Sequence, residues 1–324
     1  MDSVFPKGIE KYRKVKTLVH NIAANTRQMR ITLDKLHFLT ENRMTFFVSQ
    51  LFGTAPTGWN AHNVIESMQV VLSGGNLFDF DGQETVNMCR LLGGASLEQS
   101  VLGVNASAQF SLDLHYLQTN ALHDLNTALH TDKLKTFDLI ITFSTTLGFV
   151  GGTAPVAPAL PNQQVAFDLD AIYLEGYDND YSVGTMLPKK TAVRRAGFGA
   201  GKETMELELG GLNRMIMFSV HTLNADGSLT PNDAILQKLT LKVGDDVVRE
   251  YDAFELKSDT HEKFNGFNQA GVYVVSFGDD EAGWLNLSGQ TKATVVFDPS
   301  VAAPAKWICR VLQDQSVAIP SLNG

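Results

Sequence analysis

The segments Asn42-Arg43-Met44-Thr45-Phe46-Phe47-Val48 and Asn213-Arg214-Met215-Ile216-Met217-Phe218-Ser219 open on the same tripeptide, 171 residues apart in a chain of 324. Each continues as an apolar strand, ending near Phe52-Gly53 in the first case and near Asn224-Ala225-Asp226-Gly227 in the second. An alternating strand precedes each, Leu33 to Leu39 or Met205 to Leu209. A strand with a Gly-containing hairpin follows, Met68 to Gly75 or Leu239 to Gly244. Next comes a short acidic-aromatic strand, Phe78-Asp79-Phe80-Asp81 or Arg249-Glu250-Tyr251-Asp252, and then a helix-like stretch, Glu84 to Leu92 or Ala253 to Phe264. Leu125-Asn126 and Phe137-Asp138 return as Leu285-Asn286 and Phe297-Asp298, now at an offset of 160. The difference falls at an extra loop in the first half, Gly93 through Ser107. One tripeptide match arises by chance in any chain of this length. The repeated order of strand, hairpin, helix and strand is what predicts a duplicated β-domain.

Outside the repeat the same period of two recurs. Met29 to Leu33, Phe110 to Leu114, Val165 to Ile172 and Lys292 to Phe297 alternate apolar with polar residues, as strands with one buried face do. Gly, Asn, Asp and Pro punctuate them, as in Ser73-Gly74-Gly75-Asn76 and Val243-Gly244-Asp245-Asp246. Long helices between strands are missing, which argues against a doubly wound sheet and for an all-β antiparallel sandwich or barrel. The apolar positions expected to fill two cores are Phe46, Val48, Val70, Leu72, Leu112 and Leu114 in the first half. In the second they are Ile216, Phe218, Leu239, Leu241, Val295 and Phe297.

Composition fits that reading. The length suggests roughly two domains, and 44% apolar with 19% charged residues is a globular balance. No apolar run is long enough to span a bilayer. The first 25 residues, basic and holding Pro6, do not read as a secretory signal. Cys89 and Cys309 have no metal-ligand spacing and sit in apolar surroundings, which predicts buried free thiols. Net charge is −9, yet residues 1–30 hold seven basic residues against two acidic ones. An acidic body excludes the basic groove of a nucleic-acid-binding domain. The basic arm implies a partner of its own, which includes another copy of the chain.

Catalytic patterns are missing. The eight histidines form no His-Glu-x-x-His pair and no cupin set, and His123 and His130 read as loop residues. There is no Gly-x-Ser-x-Gly elbow. Gly197 to Gly201 lacks the Lys-Ser/Thr pair of a phosphate loop and reads as a linker. Asp178-Asn179-Asp180, Asp245-Asp246 and Asp279-Asp280-Glu281 read as turn chemistry, with calcium at Asp178, Asp180, Asp279 or Asp280, subunit contacts, or the paired carboxylates of a glycosidase as the alternatives. Trp59, Trp284 and Trp307 are scattered, as core or interface anchors would be. No catalytic, cofactor-binding or metal site is assigned, and no cofactor is expected.

In residues 8–25, Ile9, Tyr12, Val15, Leu18, Val19 and Ile22 recur at spacings of three and four, which predicts an amphipathic helix with lysines around its other face. Two tandem jelly-roll-length halves, few helices, no catalytic set and this arm together resemble a known family. The resemblance rests on the paired Asn-Arg-Met sequences and on the terminal run from Gly271-Val272-Tyr273 through Val295-Val296-Phe297-Asp298-Pro299 to Trp307-Ile308-Cys309-Arg310-Val311. The family is the double-jelly-roll major capsid proteins of the lineage that includes tectiviruses, corticoviruses and adenovirus hexons. Its small members occur in tailless, internal-membrane-containing icosahedral bacteriophages of the tectivirus, corticovirus and finnlakevirus kind.

The resemblance implies a structural protein and not an enzyme, assembling as pseudo-hexagonal homotrimers into an icosahedral virion shell. It implies neighbouring capsomers and other virion proteins as partners, assembly in the host cytoplasm, and no sequence-specific nucleic-acid binding. The expected organisation is an arm over 1–25, a first jelly roll over 26–185, a linker over 186–200, a second jelly roll over 201–318 and a tail over 319–324. The arm, with Lys7, Lys11, Arg13, Lys14 and Lys16, is expected on the shell's inner face, against neighbouring subunits and an internal membrane. As a separate helix it would be dispensable for trimers. Loops Gly53 to Asn63 and Gly148 to Gln163, apolar and Pro-bearing without a core period, are expected as capsomer contacts or outer towers. The same fold class also hosts glycan-binding and glycan-processing tandem jelly rolls, which is the alternative reading.

Overall fold

The computed structural model describes residues 9–21, 27–36, 38–51, 58–59, 61–72, 75–92, 98–101, 103–116, 129–131, 134–144, 149–150, 163–175, 186–199, 201–225, 229–278 and 283–318. The chain divides into two compact units at Pro188/Lys189. Unit 1 contains β1 (Ile9–Asn21), β2 (Gln28–Thr32), β3 (Phe38–Leu51), β4 (Gly58–Trp59), a short 3-10 turn (Ala61–Val64), β5 (Ile65–Leu72) and β6 (Gly75–Phe80). Helix α1 (Gly82–Leu92) follows, then β7 (Glu98–Val101), β8 (Asn105–His115), β9 (Leu129–His130), β10 (Phe137–Phe143), β11 (Phe149–Val150) and β12 (Gln163–Glu175). One sheet runs β1-β12-β3-β8-β7, with β9 also on β3, and the other runs β2-β10-β5-β6. Each pairing in these sheets for which a register is given is antiparallel.

Unit 2 repeats this plan. Its elements are β13 (Met186–Phe198), which begins just before the boundary, β14 (Glu203–Glu206), β15 (Leu212–Leu223), β16 (Leu229–Pro231), β17 (Leu236–Val243) and β18 (Asp246–Asp252). Helix α2 (Ala253–Lys263) follows, then β19 (Val272–Ser276), β20 (Leu285–Asn286), β21 (Ala293–Pro299) and β22 (Trp307–Ala318). β13 pairs with β22 and β22 with β15, whose other edge takes β20, β19 and β16 in turn. The second sheet is β14-β21-β17-β18. Among the main strands in chain order, the first, eighth, third and sixth form one sheet and the second, seventh, fourth and fifth the other. That is the jelly-roll order, once in each unit.

The repeated sequence signals fall on equivalent elements. Asn42-Arg43-Met44 lies on β3 and Asn213-Arg214-Met215 on β15, the third strand of each roll. In both the Asn side chain is buried and pins the last strand: Asn42 Nδ2 donates to the Asp170 carbonyl (3.3 Å), and Gln313 Nε2 donates to Asn213 Oδ1 (3.0 Å). Phe137-Asp138 and Phe297-Asp298 lie on β10 and β21. Both Phe rings are in the core, while Asp138 pairs with Arg30 (2.6 Å) and Asp298 with Lys202 (2.8 Å). The acidic-aromatic strands owe their final Asp to helix capping. Asp81 accepts from Glu84 N (2.8 Å) while Glu84 Oε2 accepts from Asp81 N (2.9 Å), a reciprocal box, and Asp252 caps α2 by accepting from Phe254 N (3.0 Å). Gly82 opens α1 so close to His62 that a Cβ would stand 1.9 Å from its carbonyl oxygen.

All twelve residues expected in the cores are buried. In unit 1, Phe46 stacks between Phe110 and Phe167 with ring centroids 5.1 Å away on each side. In unit 2, Phe297 meets Phe218 and Trp307 edge to face, and residues of both sheets join one cluster.

Two expectations are corrected. Residues 9–21 form no helix: β1 is the terminal strand of its sheet, antiparallel to β12 through twelve register pairs from Ile9↔Glu175 to Asn21↔Gln164. Ile9, Val15, Thr17, Val19 and Tyr12 favour extended backbone. The register shift between Lys14 and Lys16 breaks the period of two that would have exposed the strand in the sequence. The second correction is the linker over 186–200, most of which is β13, a strand of the second roll's first sheet. Its basic sequence, without a sustained period of two, concealed a strand held by main-chain pairing. The extra loop of the first half also carries β7, paired with β8.

Candidate functional site

Both cysteines are buried free thiols. Cys89 Sγ lies between the Asp113 amide (3.2 Å) and carbonyl (3.4 Å), and burial pushes the Cys309 thiol far up, so neither is a poised nucleophile. His62 is buried with Nε2 2.8 Å from Gln83 Oε1; His221 is buried; and His115 Nδ1 lies 3.5 Å from Glu41. Among the described residues no three His, Cys, Asp or Glu side chains gather as a metal site. Asp245 and Asp246 are exposed in the β17–β18 turn, where Gly244 adopts a φ of +60°. Asp178, Asp180, Asp279, Asp280 and His123 lie outside the described residues, and of His130 only the place on β9 is given.

The carboxylates that remain are structural. Arg43 on β3 stands in register with Asp113 on β8 and Asp170 on β12, its Nε 3.3 Å from Asp113 and its Nη2 2.9 Å from Glu41. Burial pushes the Asp113 carboxyl above its ordinary range, against the pull of Arg43. Asp138 shows the opposite sign: hydrogen bonds from Arg30 and then Thr32 hold its carboxyl below the usual range. A depressed carboxylate stabilises the fold above its unfolded-state value, about 4, and that contribution is lost as pH falls. Asp138→Asn is therefore expected to lower Tm at pH 7, with the gap to the parent chain closing toward pH 3 in a thermal melt series.

One cleft of about 710 Å³ opens in unit 2 beside α2, lined by Asp233, Leu236, Phe254, Lys257, His261 and Tyr273 among others. Its charged groups are committed. Lys257 Nζ lies 2.7 Å from Asp233, donates to the Gln269 carbonyl (2.7 Å) and sits 5.4 Å from the Tyr273 ring centre. Burial and then Asp233 push the Tyr273 phenol up, away from any role as a base near neutral pH. Phe254 stands 83% exposed on the first turn of α2.

What this chain offers outward is backbone and surface. β1 ends one sheet of unit 1, carrying Lys11, Arg13, Lys14 and Lys16; Lys7 lies outside the described residues. β18 ends one sheet of unit 2 and is exposed along most of its length, with Val247 at 54%. The two apolar loops flagged in the sequence meet: Gly58–Trp59 pairs with Phe149–Val150, and most of the remainder of each loop lies outside the described residues. Trp284 and Trp307 are buried, and Trp307 Nε1 donates to the Gly199 carbonyl (2.9 Å), fixing the glycine run there. Edge strands escaped the sequence reading because their partners are set by topology, which no local pattern encodes.

No protein-family model matches the chain, and no curated protein matches it. Solved structures do. The STIV MCP is 13% identical with a TM-score of 0.71, over 96% of this chain and 97% of that one. The major capsid protein P2 from bacteriophage PM2 is 10% identical with a TM-score of 0.66, over 98% and 100%. The PBCV-1 virus capsid chain is 12% identical with a TM-score of 0.66, over 97% and 95%. In fold, the chain is a double jelly roll of the kind these capsid proteins share.

Proposed function

We propose that this chain is the major capsid protein of an icosahedral virus, a structural subunit and not an enzyme. The observation that carries the reading is the likeness to capsid chains across both units and nearly the full length of each. It is supported by the roles that Asp81, Cys89 and Asp113 hold among the described residues, in capping a helix and tying strands. On this reading the protomer forms homotrimers, which tile with neighbouring capsomers and other virion proteins after synthesis in the host cytoplasm. The loops joined at Gly58–Trp59 and Phe149–Val150 are contact surfaces of the assembly. Lys11, Arg13, Lys14 and Lys16 act from a strand edge and not from a helix, so their first role is toward a neighbouring protein surface. An internal membrane beneath the shell rests on the family resemblance alone.

Light scattering coupled to size-exclusion chromatography tests the reading. A stable species of three times 35.4 kDa, with shells visible by electron microscopy at higher concentration, is the expected result. A monomer at micromolar concentration that forms no shells would refute it.

A further inference from the structure

Sheet edges present rows of main-chain donors and acceptors that natural proteins pair, cover or defend with charge. Among the described residues β1 pairs only with β12, and β18 only with β17. They are 13 and 7 residues long, whereas the other strands that end a sheet path, β2, β7, β14, β16, β4 and β11, have 5, 4, 4, 3, 2 and 2. Their charges are opposite. β1 carries Lys11, Arg13, Lys14 and Lys16 against Glu10, and β18 carries Asp246, Glu250 and Asp252 against Arg249, with Glu250 also paired to Lys238 on β17 (2.6 Å). Asp245 and Glu255, both exposed, flank β18 and deepen its negative character.

We propose that the free edge of β18 in one copy takes β1 of a second copy as an added strand. Charge selects this pairing over its rivals. Two β1 edges side by side repel, and so do two β18 edges, so the symmetric two-fold contact is disfavoured while the β1–β18 contact is attractive. Val247, half exposed within β18, supplies an apolar contact to the incoming strand. A contact between unlike surfaces is head-to-tail and propagates, into a ring where the rotation closes and into an open filament where it does not. This inference rests on the capsid reading only for the size of the ring, which is then three copies.

The test uses the full chain and two sets of charge reversals. One is Asp246→Lys with Glu250→Lys, which spares the cap at Asp252; the other is Lys11→Glu with Lys14→Glu and Lys16→Glu. Each set alone is expected to weaken association at least ten-fold in light scattering at about 0.1 M salt, and both sets in one chain to restore it. Hydrogen exchange on the unaltered chain is independent of how the variants fold: the outward-facing amides of β1 and β18, those not bonded to β12 or β17, should be protected in the oligomer and not in the diluted protomer. A trimer that survives both reversals, or protection confined to other surfaces, would overturn the strand pairing. If that trimer still forms shells, the capsid reading stands without it; a monomer that forms no shells removes both.

Discussion

Removing residues 1–24 is expected to abolish the folding of unit 1, with insoluble or protease-sensitive protein in place of a chain lacking a dispensable arm. β1 contributes twelve register pairs to β12. At roughly one ladder hydrogen bond per pair and about 1 kcal/mol net each, the main chain alone loses on the order of 10 kcal/mol. That is comparable with the whole stability of a typical domain, about 5–15 kcal/mol. The deletion also leaves β12, a 13-residue strand with Val165, Phe167 and Leu169 in the core, as a bare edge open to aggregation. Removing only residues 1–8 keeps β1 and serves as the reference truncation. Soluble expression, thermal melts and limited proteolysis of the two truncations read the difference. A 1–24 deletion that melts like the parent would show that β1 adds nothing to the sheet.

The same strand shows where the sequence was readable and where it was not. The repeat was legible because equivalent strands need the same local chemistry. A buried Asn ties the third strand to the last, a core Phe precedes an Asp that ties the seventh to the second, and an Asp at the end of the fifth caps the helix. Each of these devices is short-range in sequence and leaves a residue-type signature. β1 and β13 left none. One is bulged, so its alternation changes phase, and the other is basic, with two Lys, two Arg and a Pro, and is held by ladder bonds that most side chains permit. Their fate is decided by β12 and β22, more than a hundred residues away, and tertiary pairing overrides a helical period. The functional surface was illegible for a related reason: an edge exists only once the sheets are assembled.

Arg214 and Asp314 give the sharpest single-residue forecast. The Asn-Arg-Met tripeptide of unit 2 sits at a register shift of β15 between Asn213 and Met215, and Arg214 Nη2 reaches Asp314 Oδ2 on β22 at 3.2 Å. Asp314 is 0% exposed and Arg214 is buried. Two charges removed from water repay their desolvation only while both are present. Asp314→Ala is therefore expected to cost about 3–5 kcal/mol, because it removes one charge of a buried pair and leaves the desolvation of the other less well repaid. Chemical denaturation should show this as a lower midpoint. The double replacement Arg214→Met with Asp314→Leu removes both charges and keeps apolar volume, so it should recover most of that loss. In unit 1 the corresponding pair is more exposed, Arg43 and Asp113 at 42% and 22% of their side chains against 10% and 0% for Arg214 and Asp314, so Asp113→Ala should cost less. Equal losses at Asp113 and Asp314 would mean that burial does not set the cost, and that the duplicated tripeptide carries the same weight in both rolls.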